Sequence, residues 1–357
     1  MADKSLESRG TINPAGGATS AHDVAVAAGV SRIMVSRAFN PDASIRADKR
    51  KHILHIAGEL GYHPDMAARS MVTGRSNLVA ILVPSIARSW ESQEVDCLVE
   101  ALQQQGMVPL LFRLPPENLG AADIVQVRAY KPAAVIAFID WIAPSKLVSM
   151  FGDSSAIYPH FGDSLPEPIT AQTIDRLHIN QHAGIQSAVK LLVGTGRRRL
   201  VYVAGEHFGV STGTMGANSD RDRFVALEAA LKKHDLELVA RLDGNFDYNT
   251  ARQSVGNFVR HGGKADAYFA ANDTSAFGVM DALRFDLGVK VPDECAVVGF
   301  DNIPEAGWRA YDLTTVGVPV KARVSALMRL LKARLADPTG PSRIETVTAS
   351  LVVRTSV

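Results

Sequence analysis

Short apolar runs alternate with amphipathic stretches over most of the chain. Runs such as Leu78–Val83 and Leu200–Ala204 have the length of buried strands, and stretches such as 250–260 have helical spacing. Strands that alternate with helices of this length predict βαβ units and parallel sheets. A second series begins at the predicted helix Gln181–Val193, so the sequence predicts two similar α/β subdomains with a cleft between them. Ligands of open parallel sheets lie beyond the carboxyl ends of the strands.

The pattern at the start of the chain is different and predicts only short helices. Ser20 and Ser31 can each cap a helix, and Gly29 between them allows a tight turn. The second helix begins with polar and basic residues that face outward. This all-α helix-turn-helix has the geometry that enters a DNA major groove. The inward face of the first helix is predicted to hold Val24, Ala27 and Ala28.

Composition and charge narrow the class of protein. The 357 residues are 46% hydrophobic with a net charge of +1, which excludes a basic coat protein for nucleic acid. Between Thr19 and Arg75, however, eight basic residues stand against five acidic ones. A basic module on a nearly neutral body is typical of a DNA-binding domain joined to another domain. Cys97 and Cys295 lie far apart, outside any metal-spaced cluster, which favours packing roles in a reducing cytoplasm.

No segment has the pattern of a membrane or export signal. Residues 1–18 contain Gly, Ser, Asn and Pro and lack the apolar core of a signal peptide. No apolar run approaches the length of a transmembrane helix. We therefore expect a disordered extension over residues 1–18 and a cytoplasmic location.

Several motifs in a fixed order carry a resemblance to one family. They are Asp23-Val24-Ala25, Gly29-Val30-Ser31, Val35-Ser36-Arg37, Asn40, Glu59–Pro64, Thr73–Ser76, Ala271-Asn272-Asp273, Val297–Asn302 and Asp312–Val316. Together they resemble the lactose-repressor/galactose-repressor (LacI/GalR) family of bacterial transcription regulators, from Ser20 to about Arg354. The resemblance implies a helix-turn-helix headpiece joined to a periplasmic-binding-protein-like α/β core of two parallel-sheet subdomains.

The resemblance also implies the domain boundaries. The headpiece is expected at 19–64, a hinge helix and linker at 65–76, and an effector-binding core at 77–357. The first subdomain of the core is expected at about 77–175 and 304–336, and the second at about 176–303 and 337–357. The chain would then cross between subdomains near Asp175, Ile303 and Asp337.

In the headpiece and hinge, the resemblance implies which residues contact DNA. Arg32 and Ile33 occupy the positions that read base edges, and Arg37 is a third candidate; Ile33 offers only apolar contact. The serines suit phosphate oxygens, with helix capping as the alternative role. Met71 would wedge into the minor groove, with packing against the core as the alternative, and Ala68 is small enough for two hinge helices to approach. The full set is Ser31, Arg32, Ile33, Ser36, Arg37, Asn40, Ala68 and Met71.

In the core, the resemblance implies an effector site at the strand ends. Arg223 would bind ligand oxygens, Asn272 and Asp301 would make polar contacts, and Phe246 would stack on the ligand. The opposite wall is expected to include Trp90, Phe138 and His160, and Arg113 could add positive charge. Two alternatives remain open: a salt bridge between Arg223 and Asp301, because buried charges need partners, and a structural role for His160.

The resemblance implies a cytoplasmic homodimer that binds pseudo-palindromic operator DNA, more often a repressor than an activator in this family. A small molecule in the cleft, a sugar or a sugar acid, is expected to control operator affinity. We expect no enzyme, cofactor or metal, because the sequence has no Gly-x-Ser-x-Gly elbow, P-loop or metal-spaced His/Cys cluster. The alternative is a solute-binding protein of a transport system, cytoplasmic or exported.

Overall fold

The computed structural model describes residues 19–40, 43–63, 76–114, 121–139, 150–151, 155–161, 174–205 and 218–357. The chain divides into two compact units, with the boundary between Arg75 and Ser76. The predicted extension at 1–18 lies outside the described residues. The predicted hinge positions Ala68 and Met71 also lie outside them.

The elements of the described chain follow the predicted alternation. The helices are α1 (Ala21–Ala27), α2 (Arg32–Ala38), α3 (Ala47–Glu59), α4 (Ser89–Gln104), α5 (Ala121–Ala129), α6 (His182–Gly194), α7 (Asn218–Lys232), α8 (Tyr248–Arg260), α9 (Asp273–Asp281) and α10 (Val320–Ala336). The strands are β1 (Leu78–Val83), β2 (Val108–Arg113), β3 (Ala134–Ala137), β4 (Ser155–Phe161), β5 (Ile174–Asn180), β6 (Leu200–Ala204), β7 (Leu238–Asp243), β8 (Ala267–Ala270), β9 (Ala296–Phe300), β10 (Thr314–Gly317), β11 (Ile344–Thr348) and β12 (Ser350–Val352). A π-helical turn (Ala282–Asp286) continues α9, and a 3₁₀ turn (Pro304–Gly307) follows β9.

The first unit is the predicted helix-turn-helix with a third helix packed on it. Ser20 caps α1 in a reciprocal capping box with Asp23, and Gly29 makes the turn with a φ of +65°. The prediction for the inward face of α1 is partly wrong. Val24 and Ala28 are buried, but Ala25 is buried in place of Ala27, which is exposed. The reason is that α2 and α3 both pack on α1 and widen its buried face towards Ala25.

The core consists of two six-stranded sheets. The first has the order β11-β5-β4-β3-β1-β2 and is parallel throughout. The second has the order β12-β10-β9-β8-β6-β7, with β12 antiparallel at one edge. One apolar cluster takes side chains from both sheets and from the helices between them, including Ile81, Leu98, Tyr202, Phe269 and Leu327. This arrangement agrees with the predicted fold class of two parallel-sheet α/β subdomains.

The chain crosses between the sheets at other places than the sequence suggested. It leaves the first sheet after Asn180, returns between Gly317 and Val320, and leaves again at Ala349. Segment 304–317 therefore belongs with the second sheet, because β10 pairs with β9 there. Segment 344–348 belongs with the first sheet, because β11 pairs with β5.

The three positions that had been predicted as crossings have other roles. Asp175 lies inside β5, and Ile303 is buried in the apolar cluster of the second sheet. Asp337 ends α10, after which the chain turns back to form β11. Within the described residues, no helix has the length and apolar character that a membrane span requires.

Candidate nucleic-acid interface and ligand cleft

The outward face of α2 carries the residues predicted to read DNA. Ser31 caps the helix by accepting a hydrogen bond from the Met34 amide at 3.3 Å. Val35 and Ala38 are buried in the headpiece core, which turns the opposite face outward. That face is exposed and consists of Ser31, Arg32, Ile33, Ser36 and Arg37. Ile33 has 68% of its surface exposed and lies outside the apolar cluster of the headpiece.

Arg50 of α3 fixes the end of α2, a role that the sequence analysis missed. Its guanidinium donates to the carbonyls of Asn40 and Ala43, both at 2.8 Å, and to that of Ala38 at 3.3 Å. These carbonyls lie at or beyond the end of α2, where backbone acceptors lack helical partners. Asn40 is half-buried and held by this contact. No sequence signal distinguished Arg50 from the other basic residues of the headpiece.

Arg223 of α7 lies in the core with 3% exposure. Its Nη1 donates to the Ala271 carbonyl after β8, and its Nε donates to Gln181 Oε1 at 3.5 Å. The guanidinium carbon lies 3.6 Å from the centre of the Phe300 ring at the end of β9. These contacts bring together the carboxyl ends of β8 and β9 and the first crossing between the sheets. Among the described residues, no ion pair joins Arg223 to Asp301, so the alternative of a salt bridge is not formed here.

Asn272 and Phe246 lie at neighbouring strand ends of the same sheet. Asn272 caps α9 by accepting from the Ser275 amide at 2.9 Å, and its Nδ2 donates to the Phe246 carbonyl at 3.5 Å. Phe246 has a φ of +52° and its ring lies against the backbone of Gly205, just after β6. The end of β6, the turn after β7 and the end of β8 therefore meet at one edge, as parallel strands require.

Asp301 follows β9 in a turn with unusual backbone angles. Its φ is +114°, and its amide donates to the Val316 carbonyl at 2.8 Å. Burial raises the pKa of Asp301 to about 7, and the positive charge of Arg223 partly opposes this increase. A carboxyl with such a pKa can donate a hydrogen bond when protonated and accept one when ionised.

Asp273 is a buried carboxyl of the second subdomain that the site prediction omitted. It accepts from the Thr315 hydroxyl at 2.5 Å and from the Ile303 amide at 2.9 Å. Burial and then the neighbouring Asp301 carboxylate raise the pKa of Asp273 well above its usual range. Asp273 therefore connects the start of α9 to the turn after β9 and to β10. Its only sequence signal was its position beside Asn272.

The opposite wall comes from α4 and α10, which pack on the first sheet. Arg323 donates to Glu94 Oε2 at 2.8 Å and to the Val318 carbonyl, and both side chains of this ion pair are buried. Burial raises the pKa of Glu94, with Arg323 opposing the increase. The Arg323 guanidinium also lies 5.3 Å from the centre of the Trp90 ring. The prediction named Trp90 but omitted this ion pair.

The two walls approach each other at the start of α4. The Ser89 hydroxyl donates to Glu305 Oε1 of the second subdomain at 2.6 Å, and Trp90 packs against that subdomain's apolar cluster. Glu91, Arg323 and Arg88 on the first wall all contribute to the electrostatic environment of Asp301 on the second. Charged groups of both walls therefore share one cleft.

The remaining predicted cleft residues are less informative. Phe138 is half-buried after β3 and packs against the apolar cluster shared by the sheets. The backbone of His160 lies in β4, in register with His178 of β5, and its side chain lies outside the description. Arg113 ends β2, an edge strand, and is exposed.

Comparison with known proteins identifies both units. A family model described as bacterial regulatory proteins, lacI family, matches residues 20–65, and a periplasmic binding protein-like domain matches residues 189–357. The chain is 25% identical over 340 residues to the HTH-type transcriptional repressor PurR of Vibrio vulnificus, covering 94% of this chain and 97% of the relative. It is 28% identical over 343 residues to the HTH-type transcriptional regulator CelR of Thermobifida fusca, covering 93% and 96%.

Solved structures support the same fold. A lac repressor dimer bound to operator and the anti-inducer ONPF superposes with a TM-score of 0.81 at 21% identity, covering 95% of this chain and 99% of that one. A complex of the regulator CelR with cellobiose has a TM-score of 0.65 at 23% identity and covers 95% of this chain. At these identities the likeness concerns the fold alone.

Proposed function

The chain belongs to the lacI family of bacterial regulatory proteins and is a DNA-binding regulator of transcription, and we propose that it is a cytoplasmic dimeric repressor controlled by a sugar acid. The alternative considered from the sequence was a solute-binding protein of a transport system. The match of residues 20–65 to the lacI-family model argues against it, because such a protein does not require a DNA-binding segment.

The exposed start of α2 supports the DNA-binding part of this proposal. Arg32 has the five-donor fork that can engage guanine O6 and N7, and Ile33 beside it offers an apolar contact to a thymine methyl group. Ser31, Ser36 and Asn40 would contact phosphates, which position the helix without reading sequence. Ser31 already caps α2, and its hydroxyl can fulfil both roles because one oxygen accepts and also donates.

The dimer is supported by two exposed aromatic side chains of the second subdomain, Phe285 and Trp308. They are 76% and 57% exposed, and their segments adjoin because Arg284 donates to the Ala310 carbonyl at 2.7 Å. Aromatic side chains are enriched at protein interfaces. A lac repressor of the same fold was solved as a dimer on its operator. Light scattering that reports the 38.3 kDa mass of one chain would contradict the dimer.

The charges in the cleft support the proposed effector class. Glu94 is paired with Arg323 and Glu91 with Arg88, whereas Arg223 contacts only neutral groups among the described residues. Two donors of Arg223 already bind the chain, which holds the guanidinium in place for a ligand carboxylate at Nη2. Asp301 can bind ligand hydroxyls, and Phe246 can stack on a sugar ring. A ligand with both hydroxyl groups and a carboxylate therefore complements these three side chains better than a neutral sugar does.

Coupling between ligand and operator would pass through the segment predicted as the hinge. We infer that the ligand changes the angle between the two subdomains, and that the hinge helices order when paired on DNA with Met71 as an apolar wedge. Effector and operator affinities are then linked thermodynamically, each changing the other by the same factor. Met71 as the wedge and Ala68 as the small residue that lets two hinge helices approach both remain proposals.

A thermal-shift screen tests the proposed effector class. The panel contains D-glucuronate, D-galacturonate, D-glucose, cellobiose and hypoxanthine, with wild type compared with Arg223→Lys and Arg223→Ala. A sugar acid is expected to raise the melting temperature of wild type most. Arg223→Lys should reduce this shift, because lysine lacks the planar fork, and Arg223→Ala should abolish it. A shift from hypoxanthine alone, or one that survives Arg223→Ala, would contradict the proposal.

A further inference from the structure

The segment after β12 is built into the second subdomain. Ser356 is fully buried, and its hydroxyl donates to the Val297 carbonyl at 2.6 Å and accepts from the Thr314 amide at 2.8 Å. The Val297 amide donates to the Ser356 carbonyl at 2.9 Å. Residues 354–356 therefore lie along the beginnings of β9 and β10 and fix Arg354 against the second sheet.

Arg354 connects this segment to the turn that carries Asp301. Its Nη2 donates to Asn302 Oδ1 at 2.8 Å, and its Nη1 donates to the Leu313 carbonyl at 2.5 Å. Its own backbone exchanges hydrogen bonds with the Thr314 hydroxyl, at 2.9 and 3.1 Å. One side chain thus joins the two ends of the loop between β9 and β10.

The turn itself needs such support. Asp301 and Asn302 have φ values of +114° and +57°, a region that non-glycine residues enter at a cost. Conformations of this kind persist where surrounding contacts over-determine them. Here the Asp301 amide is bonded to Val316, the Ile303 amide to Asp273, and the Asn302 side chain to Arg354. Val316 belongs to β10 and Asp273 to α9, whereas Arg354 lies in the segment after β12.

The conformation of the turn decides where the Asp301 carboxyl lies. In the observed conformation that carboxyl is within the electrostatic influence of Arg223 on α7, Glu91 on α4, Arg88 at the N-cap of α4, and Arg323 on α10. Asp273 on α9 also interacts with it, and Arg354 acts on Asp273. A relaxed turn would move the carboxyl relative to all these groups and let water reach it.

We propose that Arg354 is a positioning residue of the effector site, which holds the turn at Asp301–Asn302 so that the Asp301 carboxyl faces the ligand cleft. The inference rests on the proposed function only in taking Asp301 as a ligand contact. The geometric part, that Arg354 maintains the turn, stands without any ligand.

Hydrogen–deuterium exchange of the full chain tests the geometric part. We compare wild type with Arg354→Ala, Arg354→Lys and the matched control Arg309→Ala, an exposed arginine in the same loop. Amides 301–303 are expected to exchange about tenfold faster in Arg354→Ala, the factor equivalent to 1.4 kcal/mol. Arg354→Lys should give a smaller increase, because lysine can reach Asn302 or Leu313 but not both. The control should match wild type.

Two results of this experiment would overturn the proposal. Exchange at 301–303 that stays at the wild-type rate in Arg354→Ala would mean that the turn holds without Arg354. An equal increase across β8, α9 and β10 would assign Arg354 a purely structural role.

A pH profile and a ligand titration test the link to Asp301. The difference in unfolding free energy between each protein and its Asp301→Asn derivative, followed from pH 4 to 8, isolates the titration of Asp301. Its apparent midpoint should move to lower pH in Arg354→Ala, because the carboxylate is better hydrated. Affinity for D-glucuronate should fall about tenfold in the same variant. An unchanged midpoint and affinity would overturn the positioning role, whereas no binding of any panel compound by wild type would contradict only the proposed function.

Discussion

In the headpiece, Arg32 and Ile33 are exposed at the start of α2, whereas in the core Arg223 is 3% exposed and already engaged with Gln181, Ala271 and Phe300. The two headpiece residues lie outside the apolar cluster of that unit, so we expect their identity to depend on the DNA that we propose they contact. The core residues are held by the fold before any ligand arrives. If these residues have the proposed roles, DNA recognition can change by surface substitution, whereas a change in effector recognition would also disturb the packing of the second subdomain.

The largest expected effect concerns a buried ion pair of the core, outside the residues that we propose for recognition. Arg334 of α10 donates to both carboxylate oxygens of Asp175, at 2.5 and 2.9 Å, and neither side chain is exposed. Arg334→Ala would leave Asp175 buried without its main partner and should lower the free energy of unfolding by about 3 kcal/mol. Urea denaturation followed by tryptophan fluorescence reports this loss, since all three tryptophans lie after residue 76.

Arg329→Ala on the same helix is the matched control. Arg329 pairs with Glu345 at 2.8 Å, but both side chains are partly exposed. The control should therefore lose under about 1 kcal/mol. Equal losses in the two variants would mean that burial does not distinguish these ion pairs.

The second effect concerns recognition in the headpiece without a change in stability. Arg32→Ala should cost about 1–3 kcal/mol of binding per half-site and relax the preference at one base pair, because the guanidinium is lost from a base edge. Titration of specific and random duplexes at fixed salt measures both affinities, and thermal denaturation should match wild type. Equal weakening on the two duplexes would show that Arg32 contacts only phosphate.

These two regions also differ in how far the sequence alone predicted them. The helix-turn-helix was predictable because its signals are local: capping serines and a glycine in the turn. The alternation of strands and helices was equally local. The sheet to which β10 and β11 each belong could not be predicted, because apolar periodicity indicates a strand but not the strand that it pairs with. Gln181, Arg323 and Arg354 were missed for the same reason, since their partners lie 42, 229 and 52 residues away in the chain.

The smallest effect concerns the pH dependence of core stability. The pKa of Asp301 is about 7 in the folded chain and near 3.9 in an unfolded one, so the folded state binds more protons between these values. Stability from this residue therefore falls as pH rises from about 4 to about 7. Asp301→Asn should remove that loss and raise the free energy of unfolding by about 1 kcal/mol at pH 8. The gain is small because Asp301 is only half-buried and solvent screens its charge.

Urea denaturation at pH 4, 6 and 8 measures this dependence. Asp293→Asn, an exposed carboxyl, is the control and should follow wild type at each pH. A wild-type profile in Asp301→Asn would mean that this carboxyl ionises as it does in the unfolded chain.

The most direct test of the account is an anisotropy titration of the operator, selected beforehand from a randomised duplex library with the purified protein. Wild type, Arg32→Ala and Arg223→Ala are titrated with and without saturating D-glucuronate or D-galacturonate. The account predicts that the sugar acid changes the operator affinity of wild type at least fivefold, the lower range of measured couplings. Arg223→Ala should bind the operator with wild-type affinity, and the sugar acid should not change that affinity. Arg32→Ala should bind the operator more weakly than wild type. A ligand response that persists in Arg223→Ala would contradict the account.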